Sequence, residues 1–413
     1  MLKKFLLSIF VTLFAFASQA PTATAPKSAK SVVDKSLEQL KNKGMVIENR
    51  KTTDTTDSFE LVIKDFFKLA GLPPQASAPK GLDKNATKTV ADKGLYSDLN
   101  GIAMQVDINY SKESYASALY LSKFPTESMS KDEKALMARI IKDQLIFITS
   151  DFNINTNKYN LAFKDIDETF DTIKIKTAGI QGSGTYDMDN LDTQDMVFKM
   201  ATIMLTPTEK KFLGEYLTMN NAYINMSSIP NDKVLDLNYN VGVEMVDANI
   251  SKSVTKVNKA NVDIKFGNIN RNAYNKLIEL SQSNIAIDPS SPELMNLLTA
   301  LITQDLYIEI KDISVDDLIA NGQKMGGMKV TAKASFKKDP NLAQLLKINP
   351  MMALSALEVE ANIQLSQSML KALSQTPKGA MLAFIPPKME NGMAIYLIKY
   401  SGGKLLVNGN PLQ

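Results

Sequence analysis

Four carboxylates fall within the ten residues from Tyr186 to Asp195: Asp187, Asp189, Asp192 and Asp195. Oxygen ligands at this density suit calcium. An EF-hand loop, however, needs an oxygen ligand at its fifth position, glycine at its sixth and a bidentate glutamate at its last, where this chain has Leu191, Asp192 and Phe198. A solvated acidic turn is the expectation. Asp165, Asp167, Glu168 and Asp171 include candidates for the carboxylate pair of a glycosidase. Sugar sites usually add aromatic platforms, and this chain has no Trp and only 7% aromatic residues. Exposed strand ends are the plainer reading.

Two further spacings match known chemistry in part. Ser253-Val254-Thr255-Lys256 and Ser368-Met369-Leu370-Lys371 follow S-x-x-K, which sets a nucleophilic Ser and a Lys on one helix face in penicillin-binding enzymes; the companion K-T-G is missing. Gly179-Ile180-Gln181-Gly182-Ser183-Gly184 is glycine-dense, but it matches neither a dinucleotide nor a P-loop pattern and no helix pattern follows it. It reads as a loop or bulge between strands.

The missing residue types decide more. There is no His and no Cys. Imidazole bases, thiol nucleophiles, disulfides and zinc sites built on either residue are therefore excluded. No catalytic, cofactor-binding or metal-ligating residue is assigned, and the expectation is a protein that is not an enzyme and carries no cofactor. The 47 basic and 44 acidic residues nearly balance, which argues against a nucleic-acid partner. The 21 Met residues are scattered over many elements. Core filling is the plain account of them, and a Met-lined groove for a lipid or an unfolded partner is the sharper one.

The elements that would position such groups begin after an export signal. Lys3 and Lys4 precede an apolar run, and Ala15-Phe16-Ala17 forms a small-x-small cleavage site. Residues 1–17 are expected to be a cleaved signal peptide leading to the periplasm. The alternative is a short inner-membrane anchor, although the apolar run falls short of the about 20 residues a span requires. Residues 18–30 read as a flexible leader, 31–71 as a helix and a hairpin, 72–94 as a linker or mobile loop rich in Pro and Gly, and 95–413 as the main body.

Within that body, alternating runs such as Leu235 to Val243 and Leu306 to Ile310 predict half-buried antiparallel strands. Helices are signalled by a capping box at Ser130 to Glu133, by Thr206-Pro207, by Asn270, by Ser291-Pro292, by Asp339-Pro340 and by Ser366. A strand-then-helix theme recurs at 261–282, 328–347 and 357–374. The fold expected is α+β: an elongated, mostly antiparallel sheet of repeated hairpins with short amphipathic helices packed along it.

Three segments resemble a bacterial family of unknown function, the YdgA-like proteins, among them Leu306 to Lys338, which resembles one of its hairpins. Val262 to Asn270 with the helix after it is similar to the family's strand–N-[LI]-[DN]–helix signature. Tyr400-Ser401-Gly402-Gly403-Lys404-Leu405-Leu406-Val407-Asn408-Gly409-Asn410-Pro411 is similar to its terminal hairpin. The resemblance covers mainly 235–413. It implies an exported or membrane-anchored envelope protein and supplies no catalytic residues. The function expected is a binding or scaffolding module for a lipid, an apolar ligand or an envelope protein. The alternatives are a structural or assembly protein, homo-oligomeric through exposed sheet edges, and a carboxylate or Ser–Lys hydrolase.

Overall fold

The computed structural model describes residues 28–69, 99–127, 129–170, 173–186, 192–208, 215–250, 253–282, 291–336, 342, 344, 354, 356–376 and 385–411. The expected signal peptide, most of the expected leader, the 72–94 segment, Asp171, Asp187, Asp189 and nearly all of the helix expected at 339–345 lie outside them. The chain forms two compact units, Met1–Lys164 with Thr185–Asp189, and Asp165–Gly184 with Asn190–Gln413. Both are α+β, mostly antiparallel sheet with short amphipathic helices packed on it.

In the first unit, β1 (Met45–Thr52), β2 (Thr56–Ile63), β3 (Ala103–Tyr110), β4 (Ser114–Lys123), β5 (Phe147–Asn153) and β6 (Lys158–Phe163) pair in chain order. The hairpin of 45–63 and the strands after Leu99 thus share one sheet. The inner face carries Phe59, Leu61, Val106, Leu119 and Ile148, all buried. α1 (Ala29–Asn42) starts at Ser28, where the Ser28 and Ser31 side chains each accept the other's backbone N–H. Its Ala29 and Val32 pack on Phe152 and Ile154. Ser28, Ala29 and Lys30, which composition assigned to the leader, therefore belong to the capped helix. α2 (Phe66–Leu69) follows β2, and α3 (Lys131–Lys142) opens on the expected capping box of Ser130 and Glu133.

One carboxylate lies in this core. Asp57 is 1% exposed on the inner face. β1 bulges between Glu48 and Lys51, with Asn49 at φ 56°. There Arg50 reaches Asp57 through its Nε (3.0 Å) and a second guanidinium nitrogen, and Tyr110 donates to the same carboxylate at 3.3 Å. The bulge supplies the cation that a buried carboxylate requires.

The second unit is one long meander. β7 (Ile166–Phe170) pairs β8 (Ile173–Ala178), and β8 and β9 (Gln181–Tyr186) flank β10 (Gln194–Pro207). Then β11 (Tyr216–Pro230), β12 (Val234–Ile250), β13 (Ser253–Asn270), β14 (Tyr307–Ala320), β15 (Gln323–Phe336) and β16 (Leu357–Ser366) follow side by side. β16 pairs β18 (Met393–Ser401), whose far side is shared by β17 (Lys388–Glu390) and β19 (Lys404–Val407); β20 (Asn410–Pro411) closes on β19. α4 (Arg271–Gln282) is capped by Asn270, whose Oδ1 accepts the Ala273 N–H at 3.0 Å, and α5 (Pro292–Ile302) by Ser291. α6 (Gln367–Ser374), capped by Ser366, packs Met369 against Leu365, Ala394 and Tyr396.

Two sequence expectations change here. Thr206 and Pro207 do not start a helix: they end β10, opposite Lys174 and Ile173. A terminal strand position costs Pro nothing for its missing N–H. Gly179 and Ile180 do connect β8 to β9, but Gly182 and Gly184 lie inside β9, where a Cβ at Gly184 would stand 1.8 Å from the Asp195 carbonyl oxygen. In the final hairpin Val407 is buried and Leu405 is 37% exposed.

Candidate functional site

Because paired residues share a sheet face, the register sorts the second unit into two surfaces. One row runs Met196–Met226–Tyr239–Ile264–Ile310–Ala332–Ala361–Ile398–Val407 from β10 to β19 without a polar interruption. The row beside it, Phe198–Ile224–Val241–Val262–Ile313–Val330–Ile363–Tyr396, is equally apolar. At about 4.8 Å between strands, the first row spans about 38 Å. Its β18–β19 end lies in the cluster under α6. Mid-sheet the second row is open: Val241 is 42% exposed and its partner Val262 37%. Ile308, also on this face, is 40% exposed.

The opposite face is polar. Lys265, Glu309, Lys333, Glu360 and Lys399 stand in one row across β13, β14, β15, β16 and β18, alternating in sign. Glu360 and Lys399 form an ion pair at 2.9 Å, and the Lys333 ammonium sits 4.7 Å from the centre of the Tyr307 ring. Exposed pairs contribute little singly, but opposite charges directly across a ladder favour this register. The row borders an open groove of about 700 Å3 that also takes in Asn362 and the exposed Leu397.

A hydrogen-bonded network crosses this face at mid-sheet. Tyr223 and Asn240 donate to Asn261 Oδ1 at 3.1 and 3.2 Å, and Asn261 donates to Asp312 at 2.7 Å. Ser314 donates to the same Asp312 oxygen at 2.7 Å. Asp263 faces Asp312 directly, a like-charge pair that the bulge at Lys311 relieves by bringing its ammonium within 4.0 Å of Asp263. Burial pushes the Asp312 carboxyl up, and the donors from Asn261 and Ser314 outweigh it, holding the group below the ordinary aspartate range.

The residues singled out in the sequence are placed as follows. Asp192 is not part of a solvated turn: it is fully buried, paired with the Arg271 guanidinium and hydrogen-bonded to Asn275 at 3.1 Å. Asp195 is on the exposed start of β10. Asp165 accepts the Gly179 N–H at 2.9 Å, and Asp167 pairs with Lys174 at 2.9 Å. The Lys174 hydrogen bond keeps the Asp167 carboxyl below its ordinary range. Ser253 and Lys256 lie on a strand, where a three-residue spacing sends them to opposite faces. Ser253 donates to the Asn321 Oδ1 at 2.6 Å, and Lys256 pairs with Asp247 at 2.8 Å. Ser368 and Lys371 are one turn apart on α6, both exposed. Among the described residues, no three metal-ligating side chains cluster.

Sequence reading missed the Asn261–Asp312 network and the Arg271–Asp192 pair. Their partners lie 51 and 79 residues apart, and only strand register brings them together.

No protein-family model, no curated protein and no solved structure matches this chain. The resemblance to the YdgA-like proteins rests on the quoted motifs alone.

Proposed function

We propose that the chain is a non-enzymatic bacterial envelope protein whose long sheet is a binding surface for an acyl chain. The observation that carries this is the pair of unbroken apolar rows, open to solvent at Val241 and Val262. A soluble sheet ordinarily covers such a face, and an uncovered one marks a surface with a ligand. An acyl chain suits it because burial needs no directional partner and gains about 0.8 kcal/mol per methylene. The polar face opposite, with its charges paired along the ladder, serves as the solvated side. Export through residues 1–17 to the periplasm and membership in the YdgA-like family belong to the same proposal; the leader and the terminal hairpin motif support them. The test is mass spectrometry of lipids that co-purify with the chain from native envelopes. Recovery of acyl lipids supports the reading, and a lipid-free protein under conditions that preserve control lipid-binding proteins contradicts it.

A further inference from the structure

The chain holds four Asn-Gly pairs: Asn100-Gly101, Asn321-Gly322, Asn391-Gly392 and Asn408-Gly409. This dipeptide is prone to spontaneous deamidation. The glycine amide nitrogen attacks the asparagine Cγ, the Cγ–Nδ2 bond breaks, and ammonia leaves. Water then opens the cyclic imide to aspartate or isoaspartate. The reaction needs no oxidant, metal or second protein, only a side chain free to swing toward the next amide.

Three of these turns are matched in backbone. Asn321, Asn391 and Asn408 have φ 51°, 50° and 51°, and their glycines 76°, 77° and 81°. All three join neighbouring strands, the positive-φ turn for which Asn-Gly is favoured. Their backbones therefore restrain the attack alike, and what differs is the side chain. The Asn408 carboxamide is held on both sides: its oxygen accepts the Leu397 N–H at 2.9 Å, and its nitrogen donates to the Pro386 carbonyl at 3.1 Å. The Asn321 oxygen bonds the Ser253 hydroxyl at 2.6 Å. Asn100, in a different turn, accepts the Phe66 N–H at 2.9 Å. Asn391 is exposed and makes no hydrogen bond through its side chain among the described residues.

We infer that Asn391 is the chain's deamidation site, converting to aspartate and isoaspartate while Asn100, Asn321 and Asn408 are protected by their side-chain tethers. The consequence is local. Asn391-Gly392 joins β17 to β18. Isoaspartate adds a backbone atom to that turn, which breaks the two-residue geometry, and either product places a new negative charge beside Glu390. β17 pairs through only Lys388, Met389 and Glu390, so it is the strand that this change releases from the edge of β18.

The full chain is incubated at 37 °C and mildly alkaline pH, and its proteolytic fragments are followed by mass spectrometry that separates aspartate from isoaspartate. Residue 391 is expected to convert about five- to tenfold faster than 321 or 408, the factor one net hydrogen bond imposes. Ser253→Ala, which removes the Asn321 tether, should raise conversion at 321 to near that at 391 and leave 391 unchanged. In denaturant, where tethers are lost, all four sites should convert at similar rates. Equal conversion at 321 and 391 in the folded chain overturns the inference, as does a Ser253→Ala variant that still folds but leaves 321 as slow as before.

Discussion

The ring of Tyr223 covers Gly242, its direct partner on the neighbouring strand: a Cβ on Gly242 would stand 2.5 Å from the Tyr223 Cζ. The same arrangement recurs two ladders over, where a Cβ on Gly267 would stand 2.1 Å from the Cζ of Tyr307. Each glycine leaves the space that lets an aromatic ring cover backbone on the polar face. In the first pair, that placement also delivers the Tyr223 hydroxyl to Asn261.

Gly242→Ala should therefore dislodge the Tyr223 ring and its hydrogen bond. The cost expected is about 1–2 kcal/mol in urea unfolding. In a Tyr223→Ala background the same substitution should cost close to nothing, because the ring it displaces is gone. Equal losses in both backgrounds would show that the two residues are not coupled.

Asp192 makes stability depend on acid. Burial pushes its carboxyl up, but the Arg271 and Asn275 hydrogen bonds outweigh this and leave it below its ordinary value. A group depressed in the folded state contributes its stability above the unfolded value, about 3.9 for Asp, and loses it as pH falls through the folded value. The urea midpoint should thus fall below pH 4 more steeply in the wild type than in Asp192→Asn. At pH 7, Arg271→Met should cost about 3 kcal/mol by stranding a buried carboxylate. Parallel pH profiles for wild type and Asp192→Asn would remove Asp192 from this role.

The final hairpin should be part of the fold's stability. Val407 is buried in the α6 cluster, and Asn408 ties the turn to Leu397 and Pro386. Burying one such side chain contributes about 1.5–3 kcal/mol. Deleting 404–413 should lower the melting temperature far more than deleting 18–27. The second deletion must stop before Ser28, which caps α1, and Ala29, which is buried. An unchanged melting temperature without 404–413 would exclude β19 from the cooperative unit.

Local chemistry in the sequence was enough for the strands and for the caps at Ser130, Asn270, Ser291 and Ser366. In each, the signal and the structure it specifies lie within a few residues. Pro207 misled because its helix-start preference is weak beside the ladder that β8 offers to β10. Asp192 misled for the converse reason: its acidic neighbours suggest solvent, and its partner is Arg271, 79 positions away. Alternation in single strands was legible. The joining of those alternations into two unbroken apolar rows was not, because it depends on the register of each ladder and a one-residue slip would reverse a strand's faces.

Binding of a fluorescent fatty-acyl probe to the full chain tests the central claim most directly. Three variants are compared with the wild type: Val241→Asp and Val262→Asp on the apolar face, and Leu397→Asp on the polar one. All three positions are exposed, so the substitutions should leave the fold intact, which circular dichroism checks. The account predicts saturable probe binding that Val241→Asp and Val262→Asp each weaken at least about tenfold, about 1.4 kcal/mol or two methylenes' worth of burial, while Leu397→Asp leaves it unchanged. Absence of saturable binding, or equal loss from both faces, would contradict it.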